Sequence, residues 1–129
     1  MIALDTNILI RFLTEDDLQQ AEIAARLIED KLSRDRPGYV SVVVLCELVW
    51  TLKRLYGFSE SRVRAAVTLL IQLELLIFGE PAAVRAALGQ PLDFTDALIH
   101  ELGRNAGCSE TVTFDRRFVR LPGVRLLAD

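Results

Sequence analysis

The sequence has few cysteines, few lysines and no long apolar run, and these shortages exclude several classes of protein. Its two cysteines, Cys46 and Cys108, lie far apart and form no CxxC pair, which excludes a disulfide-rich secreted scaffold. No apolar run reaches the roughly 18 residues that a membrane span needs. The N-terminal apolar segment has no basic stretch before it and contains Asp5, unlike a signal peptide. We therefore expect a cytoplasmic protein with no membrane segment.

The charge balance is small and negative, which argues against a typical nucleic-acid-binding protein. Fifteen basic residues stand against eighteen acidic ones, a formal charge of −3. Only Lys31 and Lys53 are lysines, and the other basic residues are arginines, whose planar guanidinium suits phosphate. Genomic base composition produces the same bias, so the arginine content alone does not assign a partner.

Short apolar runs alternate with helical patterns along the 129 residues, which are expected to form one domain, 1–129. Strands are predicted at 2–4, 39–41, 75–78, 111–114 and 124–127. Helices are predicted to begin just after Asp5 and to cover 15–34, 42–56, 59–73, 80–88 and 93–105, with a helical turn at 115–119. Such alternation predicts parallel strands joined by right-handed crossovers, with helices on both faces. The expected fold is therefore a three-layer α/β/α domain with a short central parallel sheet.

Two aspartates follow predicted strands directly. Asp5 ends the first strand and Asp115 follows the strand at 111–114, each just before a helical segment. Either residue has an ordinary alternative role as a helix N-cap. Ligands of open parallel sheets bind beyond the carboxyl ends of the strands, so both residues are also candidates for a functional site.

Glu47 lies within the apolar segment from Val42 to Trp50. A helix that is apolar on all sides is normally buried, so we expect Glu47 to be buried. A buried carboxylate is costly unless it is paired or coordinated. Two alternatives remain: a buried salt bridge to an arginine, or a carboxylate held for a metal ion.

Asp93 and Asp96 open the helix predicted at 93–105. Asp93 is well placed to cap it, whereas Asp96 lies one turn inside and is the preferred ligand candidate. His100 is four residues after Asp96, on the same helical face, and is a weaker candidate. Together the sequence offers four hard oxygen ligands, whose mutual repulsion favours a cation such as Mg²⁺ or Mn²⁺ between them. These are Asp5, Glu47, Asp96 and Asp115.

These motifs resemble the PIN-domain family, and among its members the VapC toxins of bacterial toxin–antitoxin pairs. The resemblance covers nearly the whole chain and rests on four segments in this order. They are Met1 to Asn7 (MIALDTN), Ser41 to Leu48 (SVVVLCEL), Asp93 to Ile99 (DFTDALI) and Val112 to Phe118 (VTFDRRF).

The resemblance implies a PIN-like fold and an Mg²⁺-dependent endoribonuclease that acts as a toxin. It further implies a homodimer that is inhibited by a cognate antitoxin protein. The acidic quartet of the family falls on Asp5, Glu47, Asp96 and Asp115, and its small polar supporting residues fall on Thr6 or Asn7 and on Thr113. His100 departs from the small residue usual there.

Four arginines that follow the strands carrying aspartates are candidates for contacting RNA phosphates. They are Arg11, Arg116, Arg117 and Arg120. A phospho-aspartyl module with Asp5 as nucleophile is a rival interpretation, but it needs a lysine after a late strand, and neither lysine lies there. A second rival is a non-catalytic interaction module that retains an acidic site.

Overall fold

The computed structural model describes residues 1–127, which divide into two compact units. The first unit runs from Met1 to Gly79, and the second contains the described residues from Glu80 onward. In the first unit the strands are β1 (Ile2–Ala3), β2 (Gly38–Val40) and β3 (Leu76–Phe78). Its helices are α1 (Thr6–Leu13), α2 (Leu18–Arg26), α3 (Val42–Arg54) and α4 (Glu60–Gln72).

The first unit is built on a parallel sheet with the strand order β1-β2-β3. Ala3 pairs with Tyr39, and Tyr39 in turn pairs with Ile77. Gly38 allows close packing in the middle strand, because a Cβ there would lie 2.8 Å from Cδ1 of Leu4 and 2.9 Å from Cδ1 of Leu32 and would displace these side chains. The predicted strands of this unit are therefore confirmed to within one or two residues.

The long helix predicted at 15–34 is shorter in the structure. Thr14 is extended, and the carboxylate of Asp17 accepts a 3.0 Å hydrogen bond from the amide of Gln20, so α2 begins at Leu18. After Arg26 the helix continues as a π-helical turn, Leu27–Lys31, and Leu32 ends it. The apolar periodicity correctly indicated a helix here, but it did not show that the helix begins only after the cap residue Asp17.

The core of the first unit lies between the sheet and its helices. Most of the buried side chains are aliphatic, and every helix of the unit contributes some of them. The fully buried ones include Leu9, Ile28, Leu45, Leu48, Leu52, Val63, Val67 and Leu70.

The second unit contains α5 (Pro81–Leu88), α6 (Phe94–Asn105), β4 (Thr111–Thr113) and β5 (Val124–Leu126). β4 and β5 pair in parallel as a two-stranded sheet. The helical turn predicted at 115–119 is a 3₁₀ turn at Phe118–Arg120, because residues 115–117 form a turn closed by the Asp115 side chain. None of the helices within residues 1–127 combines the length and apolar composition needed to cross a membrane.

Candidate active site

Asp5 follows β1 and caps α1. Its Oδ1 accepts a 2.7 Å hydrogen bond from the amide of Thr6, and its side chain is exposed. The N-cap role predicted as the alternative is therefore real, and it leaves the carboxylate at the carboxyl end of the strand. Capping fixes the position of Asp5 and leaves its side chain exposed to solvent. The roles of helix cap and functional-site residue are therefore compatible.

Thr6 carries an unsatisfied polar atom beside Asp5. The residue is only 4% exposed, and its Oγ1 has no hydrogen-bond partner among the described residues. Leaving a buried hydroxyl unsatisfied costs about 1–3 kcal/mol. Unsatisfied buried polar groups are rare and call for an explanation, and a polar ligand at this end of the strand would provide one.

The start of α3 lies next to the start of α1. Because Ala3 pairs with Tyr39 and the amide of Leu4 donates to the carbonyl of Tyr39, continuing the register brings Asp5 level with Ser41. The Ser41 hydroxyl caps α3 by accepting a 3.1 Å hydrogen bond from the amide of Val44. Two helix N-termini therefore lie at one sheet edge, and their dipoles favour negative charge there.

Glu47 is exposed, so its predicted burial was wrong. The core-facing side of α3 carries Leu45, Leu48, Val49 and Leu52, whereas Val43, Glu47 and Trp50 lie on the opposite side. The apolar residues on this exposed side made the helix look buried in sequence. Within residues 1–127 the Glu47 carboxylate forms no salt bridge, so the buried ion pair with arginine is also wrong.

Asp93 has the capping role at α6 that the sequence predicted. Its Oδ1 accepts hydrogen bonds from the amides of Thr95 (3.0 Å) and Asp96 (3.3 Å). Asp96 lies inside the first turn of the helix and is half-buried. One oxygen of Asp93 is therefore committed to two amides, and Asp96 stays the ligand candidate predicted from the sequence.

Asp115 sits in a tight turn after β4. The Thr113 hydroxyl accepts a 3.0 Å hydrogen bond from the amide of Asp115, whose Oδ1 accepts a 2.9 Å bond from the amide of Arg117. Thr113 therefore holds the backbone of Asp115 through this hydrogen bond. The Asp115 side chain is exposed.

The four candidate arginines have different surroundings. Arg11 is held by Asp16, Tyr56 and Gln20, whose side-chain oxygens accept hydrogen bonds of 3.1, 3.1 and 2.7 Å. The others are exposed and form no ion pair with any residue the structure describes. These exposed arginines are Arg116, Arg117 and Arg120.

Asn7, the second candidate for the small polar residue after Asp5, is exposed and lines an open cavity of about 360 Å³. The cavity lies along α1 and α2, and its other lining residues are Ile8, Arg11, Gln20, Ile23 and Ala24. Most of this surface is aliphatic. Arg11 lines this cavity. Its positive charge is compensated by Asp16.

The predicted acids are divided between the units: Asp5 and Glu47 belong to the first, Asp96 and Asp115 to the second. In the described chain, no three His, Cys, Asp or Glu side chains form a group that would hold a metal ion. The donor atoms of these residues are of the type that a divalent cation prefers. All four acidic residues offer hard carboxylate oxygens, and Thr6 adds an unsatisfied hydroxyl.

A known protein family matches this chain. Residues 2–124 match the PIN domain. The chain belongs to the PIN domain family. PIN domains are generally nucleases and usually use divalent metal ions. The match confirms the PIN-like α/β fold class expected from the sequence. Among curated proteins, no relative with significant similarity is found.

Proposed function

We propose that this PIN domain is an Mg²⁺- or Mn²⁺-dependent endoribonuclease that acts as the toxin of a toxin–antitoxin pair. The observation that carries the proposal is the pairing of Asp5 with Thr6. An exposed carboxylate at the end of β1 adjoins a buried hydroxyl without a partner, in a family that generally cleaves nucleic acids. Together these features support a ligand-binding edge at the start of α1.

In the proposed reaction, a water oxygen forms a bond to the phosphorus of an RNA phosphodiester. The bond from phosphorus to one ribose oxygen breaks, and that ribose oxygen takes up a proton from the water. Asp5 and Asp96 would hold the cation directly, and Glu47 and Asp115 would complete its carboxylate set. When bound, the cation supplies Lewis-acid stabilisation of the charge on the scissile phosphate. An exposed carboxylate such as Glu47 also suits the role of orienting the attacking water.

The RNA strand would be bound chiefly through its phosphates. Arg116, Arg117 and Arg120 are exposed cations that follow Asp115 in sequence and form no ion pair within residues 1–127. Phosphate contacts of this kind give salt-dependent affinity that is independent of sequence. Arg11 is a weaker candidate because Asp16 and Tyr56 already engage its guanidinium.

A homodimer and a cognate antitoxin are the proposed protein partners. Several large apolar side chains are exposed on the first unit, and this observation supports both partners. Exposed apolar surfaces often mark interfaces between proteins. An antitoxin helix lying in an apolar groove would cover them in the same way. These side chains include Leu18 and Ile23 on α2, Val43 and Trp50 on α3, and Leu69 on α4.

The site assignment is tested by isosteric amide variants. Asp5→Asn and Asp96→Asn should each reduce cleavage of a single-stranded RNA by orders of magnitude while the thermal melt is retained. Asp93→Asn is the matched control, because asparagine caps helices as well as aspartate does. Cleavage by Asp5→Asn or Asp96→Asn at the wild-type rate would remove that residue from the site.

The toxin role is tested in cells. Induced expression of the wild-type chain should arrest growth and Asp5→Asn should not. Sequencing of cleaved RNA ends from the arrested culture should show cuts that are absent with the variant. Unimpaired growth with abundant active protein would contradict the toxin assignment and leave the nuclease assignment standing.

A further inference from the structure

A cavity of the second unit contains the only histidine of the chain. Its volume is about 370 Å³, within the roughly 300–1,000 Å³ that small-molecule sites occupy. No carboxylate lines it, and none of the predicted acidic residues takes part. The lining residues are His100, Arg104, Cys108, Ser109, Pro122 and Gly123.

The two ring nitrogens of His100 have different surroundings. The residue is 3% exposed, and its Nδ1 lies 2.8 Å from the Thr111 hydroxyl. Its Nε2 makes no hydrogen bond to any residue the structure describes. A Cβ added at Gly123 would lie 3.4 Å from Nε2, so this edge of the ring faces a residue that lines the cavity. A polar atom held in this way is ready to bind a ligand.

Gly123 keeps that edge of the ring accessible. Its φ of 87° is in the left-handed region, and a Cβ would also lie 3.2 Å from Cε1 of His100. Any larger residue would be strained and would cover the imidazole edge. The backbone at Gly123 therefore combines a tight turn with access to the ring.

Arg104 adds a positive charge one helical turn after His100. Its Nη1 lies 3.5 Å from the buried carboxylate of Glu101, which also accepts a 3.2 Å hydrogen bond from Gln90. This long contact orients the guanidinium, and its other N–H groups donate to no residue in the described range. The Ser109 hydroxyl is likewise without a partner among residues 1–127.

We propose that this cavity binds a phosphate group carried by a nucleotide or a nucleic-acid strand. Arginine offers the planar fork that phosphate oxygens accept, and a serine hydroxyl adds a further donor. When the Thr111 hydroxyl donates to Nδ1, or when the ring is protonated, Nε2 of His100 carries a hydrogen and donates into the cavity. A metal cation fits less well, because Arg104 lines the cavity and no carboxylate does.

The single histidine makes the proposal directly measurable. The ring signals of His100 are followed by ¹H–¹⁵N NMR in chelator while the full chain is titrated with inorganic phosphate, adenosine 5′-monophosphate or a short single-stranded RNA. Saturable shifts should appear with at least one phosphate probe and should not appear with sodium chloride at equal ionic strength. Arg104→Gln should weaken binding by about tenfold or more, the effect of losing one charge-assisted hydrogen bond.

Arg85→Gln is the matched control, since Arg85 is an exposed arginine of the same unit outside the cavity. It should bind the probes as the wild type does. A shift with the monophosphate assigns the site to free nucleotides, and a shift with RNA but not the monophosphate assigns it to a strand. The proposal would be overturned if none of the three probes shifted the His100 ring signals, or if the Arg104→Gln titration were identical to that of the wild type.

Cysteine alkylation provides an independent readout. Cys108 is exposed and lines the cavity, whereas Cys46 lies in the first unit and is half-buried. Bound phosphate ligand should slow alkylation of Cys108 several-fold and leave the rate at Cys46 unchanged. Equal rates at Cys108 with and without saturating probe would contradict occupancy of the cavity. Because chelator is present throughout, this result does not depend on RNA cleavage.

Discussion

The carboxylate of Asp5 accepts a 2.7 Å hydrogen bond from the amide of Thr6, the residue whose own hydroxyl is buried without a partner. Asp5 is thus held in place by the helix that it caps, and Thr6 has an unsatisfied polar atom at the start of the same helix. The fold alone does not need that hydroxyl. A polar ligand bound at this helix start would give the hydroxyl a partner.

Replacing Thr6 with valine tests this explanation. Thr6→Val keeps the shape and removes the unsatisfied hydroxyl, so the free energy of unfolding should stay the same or rise by about 1 kcal/mol. RNA cleavage should fall in the same variant. Chemical denaturation and a cleavage assay measure the two effects.

Thr14→Val is the matched control. The buried Thr14 hydroxyl donates to the carbonyl of Ile10 at 2.8 Å and contacts Asp16 at 3.0 Å, so its loss should destabilise the protein by about 1 kcal/mol or more. A Thr6→Val protein that is as destabilised as Thr14→Val would show that the Thr6 hydroxyl has a structural role.

Glu47→Gln should hardly change stability in the absence of metal. Glu47 is exposed and forms no salt bridge in the described range, and such surface changes are usually within about 0.5 kcal/mol. Mg²⁺ binding to the folded state should raise the melting temperature of the wild type, and should raise that of Glu47→Gln less. Thermal melts in EDTA and in Mg²⁺ measure both. An equal Mg²⁺ effect on the two proteins would exclude Glu47 from the metal site.

The cluster of Asp16, Tyr56 and Arg11 predicts an acid-dependent loss of stability. The hydrogen bond from the Tyr56 hydroxyl lowers the pKa of Asp16, and the Thr14 hydroxyl and Arg11 lower it further. With a folded pKa below the unfolded value, the unfolded state binds more protons, so this contribution is present above the unfolded pKa. It is lost as pH falls through the folded one.

Tyr56→Phe should therefore reduce the dependence of the unfolding free energy on pH below the ordinary aspartate pKa of 3.8. Urea unfolding between neutral pH and strong acid measures the slope. Tyr39→Phe provides the control, because Tyr39 is a half-buried tyrosine whose hydroxyl contacts no aspartate in the described chain. Identical pH profiles for Tyr56→Phe and the wild type would contradict the role of this hydrogen bond.

Local sequence signals predicted most of the fold. Asp93 caps α6 where the sequence indicated, and the helix predicted at 59–73 is α4, which Ser59 caps. Gly57, which follows α3, has a positive φ. Glu47 was misjudged because Val43 and Trp50 are apolar yet exposed, with Trp50 at 59%. Periodicity shows which residues can share a face, but it does not show that an apolar face is left uncovered.

The candidate site was only partly accessible to sequence reasoning. The helix caps formed by Asp5 and Asp93 follow from local chemistry. Asp115 was expected as a helix N-cap but instead bonds the amide of Arg117 in a turn, and the 3₁₀ turn that follows has no side-chain cap. The unsatisfied state of the Thr6 hydroxyl and the orientation of His100 toward Thr111 depend on tertiary packing. No spacing along the chain reveals either one.

The most direct test of the account is cleavage of a defined single-stranded RNA by the purified wild-type chain, with and without metal. We expect internal cuts in Mg²⁺ or Mn²⁺, no cuts in excess EDTA, and recovery of cleavage when Mg²⁺ is restored, with Asp5→Asn inactive throughout. Undiminished cleavage in excess EDTA, or wild-type cleavage by Asp5→Asn, would contradict the metal-dependent ribonuclease proposed here.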